Sequence, residues 1–191
     1  MLLPGDIQSA AHCRHIIERA VDEIGGIDIL VNNAAHQATF KEITDISDEE
    51  WELTFRVNIH AMFYLVKAAV PHMQPGACII NTASINSDQP NPTLLPYATT
   101  KGAIQNLTAG LAQFLAKKGI RVNAVAPGPI WTPLIPSTMD EETVSKFGSN
   151  TPIGRAGQPA ELATAYEMLA DPLSSYVSGA TIAVTGGRPF L

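Results

Sequence analysis

Three short runs rich in apolar and β-branched residues, 27–31, 77–80 and 120–125, each give way to a string of small or polar residues. Long helical stripes separate them. This alternation constrains the chain more than any other feature. Strand, helix and strand in turn, with strands apolar enough to be covered on both faces, specify an α/β sheet that is mostly parallel. In such sheets ligands bind beyond the carboxyl ends of the strands. The segments that follow the three runs are Asn32-Asn33-Ala34-Ala35, Asn81-Thr82-Ala83-Ser84 and Ala126-Pro127-Gly128-Pro129. All would let a ligand approach the backbone.

The helices are read from period and punctuation. Ile16, Ile17, Ala20, Val21 and Ile24 form a stripe over 9–24, stopped by Gly25-Gly26. Ser47-Asp48-Glu49-Glu50 fits a capping box and opens a long helix to about Met73. Residues 84–96 read as a polar, proline-containing loop and 97–118 as a helix ended by Gly119. A Pro-rich stretch, 127–136, leads to a short helix near 140–147. A last helix spans 159–170 and a last strand 180–184. No repeat, low-complexity tract or linker divides the chain, so residues 1–191 read as a single domain.

Composition excludes several classes. With 12 basic and 18 acidic residues the formal charge is -6, wrong for a protein held to nucleic acid by a basic face. No apolar run approaches the roughly 18–20 residues of a membrane span. Cys13 and Cys78 are the two cysteines, too few for a disulfide scaffold. His12 and His15 sit among polar neighbours and give a metal reading little support. A cytoplasmic setting is expected, with no membrane and no nucleic acid among the partners.

Tyr97 and Lys101 are four apart on a helix and so share a face. A free tyrosine has a pKa of about 10, too high for a base at neutral pH. An ammonium within reach favours the phenolate, and the pair can then exchange a proton with a carbinol oxygen. Ser84 precedes Tyr97 by 13 positions and could hold the same oxygen. Taken singly, Tyr97 and Lys101 are an ordinary exposed pair, and Asn58 a buried amide bonded to its own backbone. His36 and Gln37 stand at the mouth of the site, to touch substrate or merely be solvated. Trp131 either lines a pocket or anchors a loop. Cys78 reads as core.

Taken together and in order, Asn32-Asn33-Ala34, Asn58, Ser84, Tyr97-x-x-x-Lys101, Pro127-Gly128 and the closing Val184-Thr185-Gly186-Gly187 resemble the short-chain dehydrogenase/reductase family. The resemblance covers essentially the whole chain. The stretch 127–134 looks most like the bacterial glucose and ribitol dehydrogenase branch. The resemblance implies a Rossmann-type, doubly wound sheet, NAD or NADP as cofactor, and an alcohol (sugar, polyol or simple alcohol) interconverted with a carbonyl. It implies Tyr97 as acid/base, and Lys101 as the group that lowers its pKa and holds the nicotinamide ribose. Ser84 would orient the substrate oxygen, and Asn58 would break its helix ladder and hold a water relaying protons to Lys101. Asn33, Ala34 and Ala35 would lie along the adenosine ribose, Asp6 and Ile7 at the adenine, and Pro127, Gly128, Ile130 and Thr132 around the nicotinamide. Ala35 departs from the family's usual glycine.

The family's opening Thr-Gly-x-x-x-Gly-x-Gly turn, which receives the pyrophosphate, has no counterpart in these 191 residues. Leu2-Leu3 resembles the end of the family's third strand. The expectation is an N-terminally incomplete sheet lacking its first two β-α units, roughly 60 residues at about 30 per unit. The strand over 27–31 would then be an edge, its apolar flank uncovered. The residue that selects NAD or NADP would belong to the missing second strand. A non-catalytic fragment acting only in folding or oligomerisation stands as the alternative, and an epimerase or dehydratase on the same fold as a third. The long helices, one carrying Trp51, Phe55, Phe63 and Val66, the other Leu107, Leu111 and Phe114, have apolar faces too wide for one sheet. The surplus either faces neighbouring helices of the same chain or buries against another subunit. The resemblance implies two-fold packing of such helices and a second two-fold contact through the 180–184 strand, which together make a homotetramer.

Overall fold

In the computed structural model, which describes residues 1–190, the apolar runs pair into one sheet with every strand parallel. Its order is β1 (Ile29–Asn32), β2 (Cys78–Thr82), β3 (Arg121–Pro127) and β4 (Thr181–Val184). Each strand ends one or two residues beyond its apolar run, at Asn32, Thr82 and Pro127. The first strand also starts at Ile29 rather than Ile27, where Cys78 opens the ladder opposite it. The backbone bonds that make the ladder are indifferent to side-chain polarity, so the polar end residues belong to the sheet.

Helix α1 (Ala10–Ile24) starts where Ser9 accepts the His12 amide and ends at Gly25 in the left-handed conformation, φ 86°. That conformation suits glycine. Helices α2 (Asp48–Phe55) and α3 (Ala61–Ala69) are one rod joined by a π-helical turn, Arg56–His60. The single helix expected to Met73 is thus interrupted at Asn58 and finishes in a tight turn at Val70–His72. The capping box is half made. Ser47 Oγ accepts the Glu50 amide at 3.1 Å, while the Glu50 carboxylate turns to His36 and Thr54 instead. A charged or ring N–H donor is the stronger partner for a carboxylate.

Helix α4 (Leu95–Leu115) crosses one face of the sheet with α1 and α3. Ile17, Val66, Ile79, Leu115 and Val122 are packed there, each of them buried. Burying a side chain of this size is worth about 1.5–3 kcal/mol. The short helix expected near 140–147 is α6 (Glu141–Ser145), and a second five-residue helix, α5 (Leu134–Thr138), precedes it at the end of the Pro-rich stretch. Helix α7 (Pro159–Ala170) covers the other face, closing Ala165 and Leu169 over Cys78, Ile80 and Val125. Arg121, at the start of β3, sends its guanidinium to the Leu169 and Asp171 carbonyls at 2.8 and 3.3 Å. It thereby satisfies the acceptor end of α7.

α7 does not reach β1. Ile29 and Val31 are 51% and 46% exposed, as expected of an edge strand with an uncovered flank. Leu2-Leu3 forms no strand. Leu2 is almost fully exposed, and a two-residue stub followed by Pro4 has no ladder to join. No described helix is long and apolar enough to cross a membrane.

Candidate active site

The carboxyl ends of β1, β2 and β3 open into a cleft of about 1080 Å³. Eleven of the residues singled out in the sequence line it: Asn33, Ala34, Ala35, Gln37, Ser84, Tyr97, Lys101, Pro127, Gly128, Ile130 and Thr132. Gly128 is fixed by space. A Cβ there would lie 2.8 Å from the Thr185 Cα, where the Gly128 amide bonds the Val184 carbonyl.

Helix α4 begins at Leu95, with Pro96 in its first turn, so Tyr97 and Lys101 project from its opening turns toward the ends of β2 and β3. Lys101 is 2% exposed. Its Nζ donates to the Thr82 carbonyl at 2.6 Å and lies 5.2 Å from the centre of the Tyr97 ring. Burial pulls the Lys101 amine down from 10.5 to about 7. Burial also pushes the Tyr97 phenol up, and the Ser84 hydroxyl opposes that rise. The direction at Tyr97 is therefore opposite to the one expected from a neighbouring ammonium. Desolvation disfavours both charged forms, and Nζ is aimed at a carbonyl and lies over the ring rather than beside the phenol oxygen.

Ser84 follows β2 in extended backbone. Its Oγ accepts from the Asn86 amide and Nδ2 at 3.1 and 3.3 Å, leaving its own hydrogen for another acceptor. Asn58, in the π-helical turn, stands behind the cleft and does not line it. Its Oδ1 accepts from the His36 amide at 2.7 Å, and its Nδ2 donates to the His36 carbonyl and Thr100 Oγ1 at 3.0 and 2.9 Å. Both amide hydrogens are committed, so a water there would meet acceptor lone pairs only. His36 turns away to Glu50, with Nε2 2.7 Å from Oε1. Trp131 packs against Phe147 and does not line the cleft.

Asp6 and Ile7 lie off the cleft. Asp6 receives the Gln8 amide at 2.9 Å, and the Ile7 carbonyl receives Cys13 Sγ at 3.1 Å. Two residues given no role in the sequence reading do matter. Thr82 Oγ1 lies 2.7 Å from Tyr166 Oη on α7 and donates to Asn33 Oδ1 at 3.1 Å. It links the cleft ends of β1, β2 and α7. The strand-end threonine was visible in the sequence, but nothing there marked Tyr166, 84 positions away, as its partner.

A family model described as enoyl-(acyl carrier protein) reductase matches residues 1–188. The glucose and ribitol dehydrogenase of Daucus carota is 50% identical over 185 residues, which is 97% of this chain and 64% of that protein. The chain belongs to the short-chain dehydrogenase/reductase family. A solved family member, a glucose/ribitol dehydrogenase from Brucella melitensis, superimposes with a TM-score of 0.88 at 34% identity, over 98% of this chain and 75% of that one. The 3-ketoacyl-(acyl-carrier-protein) reductase from Brucella melitensis, solved with NADH, gives a TM-score of 0.88 at 32% identity, over 96% and 76%. The chain spans just under two thirds of the length of the curated relatives it matches, 64–66% for the first three.

The donors around this cleft fit the nicotinamide riboside end of such a family's NAD(P). Lys101 is a buried amine that makes one hydrogen bond among the described residues; when protonated it has two donors left for ribose hydroxyls.

Proposed function

We propose that this chain carries the catalytic part of an NAD(P)-dependent oxidoreductase interconverting an alcohol, of the sugar, polyol or simple class, with a carbonyl. The observation that carries the reading is the sealed Lys101 amine beside Tyr97, with the Ser84 hydroxyl at the Tyr97 phenol in the same cleft. NAD(P)H, when bound, supplies the hydride that reduces the carbonyl carbon. Tyr97 Oη gives its proton to the carbonyl oxygen in reduction and takes it back in oxidation. Ser84 Oγ donates to that same oxygen and fixes its approach. Lys101, when protonated, offsets the desolvation that keeps Tyr97 neutral, and its remaining donors hold ribose hydroxyls. Asn33, Ala34, Pro127, Gly128, Ile130 and Thr132 shape the cofactor's bed. Asn58 fixes the loop at His36 and accepts from a relay water. The same reading makes the protein a homotetramer.

The test is NADH- and NADPH-dependent reduction of a panel of aldehydes and ketoses, comparing the chain with Tyr97→Phe. Turnover lost in the variant supports the proposal. Turnover equal in both overturns the role of Tyr97. A folded chain without turnover or cofactor binding favours the non-catalytic reading.

A further inference from the structure

Between β3 and α7 the chain leaves the sheet and folds as a flap. Main-chain bonds close its neck: the Gly157 amide to the Pro129 carbonyl and the Trp131 amide to the Gly157 carbonyl, both at 2.9 Å. Beyond the neck, α5, α6 and the residues just after each bring Leu134, Met139, Thr143 and Phe147 to the wall of the cleft. Besides the local bond from Thr151 Oγ1 to the Gly148 carbonyl at 2.9 Å, three side-chain hydrogen bonds among the described residues tie 132–150 to the rest of the protein. Gln37 Nε2 donates to Thr138 Oγ1 at 2.7 Å. Thr39 Oγ1 and the Arg188 guanidinium reach the Thr138 and Asn150 carbonyls at a looser 3.4 Å each.

Gln37 is a loop residue, yet it is only 5% exposed and lines the cleft. Its mounting is rigid, because the side chain of Asn58 grips both the amide and the carbonyl of the preceding His36. The polarity of the contact is also fixed. Thr138 Oγ1 spends its one hydrogen on the Leu134 carbonyl at 2.7 Å, so it can only accept from residue 37. A carboxamide satisfies that demand, and a carboxylate of the same shape does not.

We propose that Gln37 is the latch of this flap, a positioning residue that acts through Thr138 to hold α5 at the Tyr97 cleft and so set the substrate side of the site. The assignment of the substrate side rests on the oxidoreductase reading; the latch itself does not.

Backbone hydrogen exchange over 132–148, compared with the sheet, tests the latch without turnover. Gln37→Glu keeps the shape of the side chain and removes the donor, and Thr138→Val removes the acceptor. Gln37→Glu is expected to speed flap exchange three- to tenfold, the effect of one net hydrogen bond, and Thr138→Val at least as much, because it also loses the bond to the Leu134 carbonyl. Exchange in β2 and β3 stays unchanged. The double variant goes no further than Thr138→Val alone, and Thr138→Ser behaves as wild type. Flap exchange unchanged in Gln37→Glu, or effects that add in the double variant, overturn the latch. In turnover, Gln37→Glu is expected to raise KM for the carbonyl substrate and leave NAD(P)H affinity unaltered. A rise in exchange with KM unmoved overturns its positioning of substrate. A rise in exchange in a protein without any turnover leaves the latch standing and overturns the oxidoreductase reading instead.

Discussion

Lys101 Nζ meets the main-chain carbonyl of Thr82 at 2.6 Å with almost no access to solvent. A cation so placed costs stability. Its proton affinity falls from 10.5 in the open chain to about 7 in the fold. The unfolded chain therefore binds the proton more strongly through that window, and stability rises with pH across it. The penalty is full below about pH 7, fades as pH climbs, and is gone above the unfolded value. At face value the shift amounts to roughly 5 kcal/mol, less the bond to Thr82 that removal forfeits. Lys101→Met is thus expected to be more stable than wild type by a few kcal/mol near neutrality and below. The gain should shrink toward pH 10. Urea unfolding of both proteins across that range measures it, and a pH-independent difference would falsify the argument.

Tyr97→Phe keeps the ring against Lys101 and removes the proton carrier. Turnover should fall by roughly 100-fold or more, with the unfolding midpoint close to that of wild type. Ser84→Ala tests the electrostatics separately. The Ser84 hydroxyl is what opposes the upward push of burial on the Tyr97 phenol, so its loss should move that phenol further up. Difference ultraviolet titration against Tyr97→Phe reads the shift, and a downward move would contradict it.

How far the sequence carried this site can be judged residue by residue. Tyr97, Lys101 and Ser84 were legible because a four-residue helical spacing and a strand end bring them together by local geometry. The sheet was legible because parallel strands must be apolar on both faces. The π-helical turn at Asn58 was implied only by resemblance, since nothing in the run 55–61 breaks a helix by propensity. The partnership of Thr82 with Tyr166 and that of Gln37 with Thr138 depend on how α7 and the flap come back over the sheet, which spacing along the chain does not encode. The direction of the Tyr97 shift depends on burial, a property of packing.

Tyr166→Phe is expected to loosen the cleft end of β1. The Thr82 hydroxyl would keep Asn33 but lose the phenol 2.7 Å away. A net bond of this kind is worth about 1 kcal/mol, and hydrogen exchange at Asn33 and Ala34 should quicken accordingly. NAD(P)H affinity should weaken in step if Asn33 holds the cofactor. Exchange at wild-type rates would show that Asn33 is held by other contacts.

Asn58→Ala should cost more, about 2–4 kcal/mol, because it strands polar groups at His36 and Thr100 that are otherwise bonded. Asn58→Asp keeps the acceptor for the His36 amide but turns the other oxygen on the His36 carbonyl. It should be nearly as damaging. Chemical denaturation distinguishes this from a purely catalytic Asn58, whose loss would leave the denaturation midpoint untouched.

Self-association is the remaining expectation, and the exposed side chains narrow it. Of the two wide apolar faces, Met62, Val66, Ile104 and Leu115 are buried within the chain. What stays in solvent is Phe63 at 47% on α3 and Phe114 at 82% on α4, with Trp51 at 38% on α2. A phenylalanine as open as Phe114 gains roughly 1.5–3 kcal/mol on burial. Beside it, the position a Gly110 Cβ would take is open, with no atom beyond its own stretch of helix within 4 Å, so another helix could approach closely. A two-fold contact of α3 and α4 faces, joined with a second through β4, would close a tetramer. Light scattering at micromolar concentration should find an assembly larger than 20.4 kDa, and Phe114→Lys should dissociate it by putting like charges across the two-fold axis. A monomer in the wild type, or an assembly indifferent to Phe114→Lys, would mean these faces are not where the subunits meet.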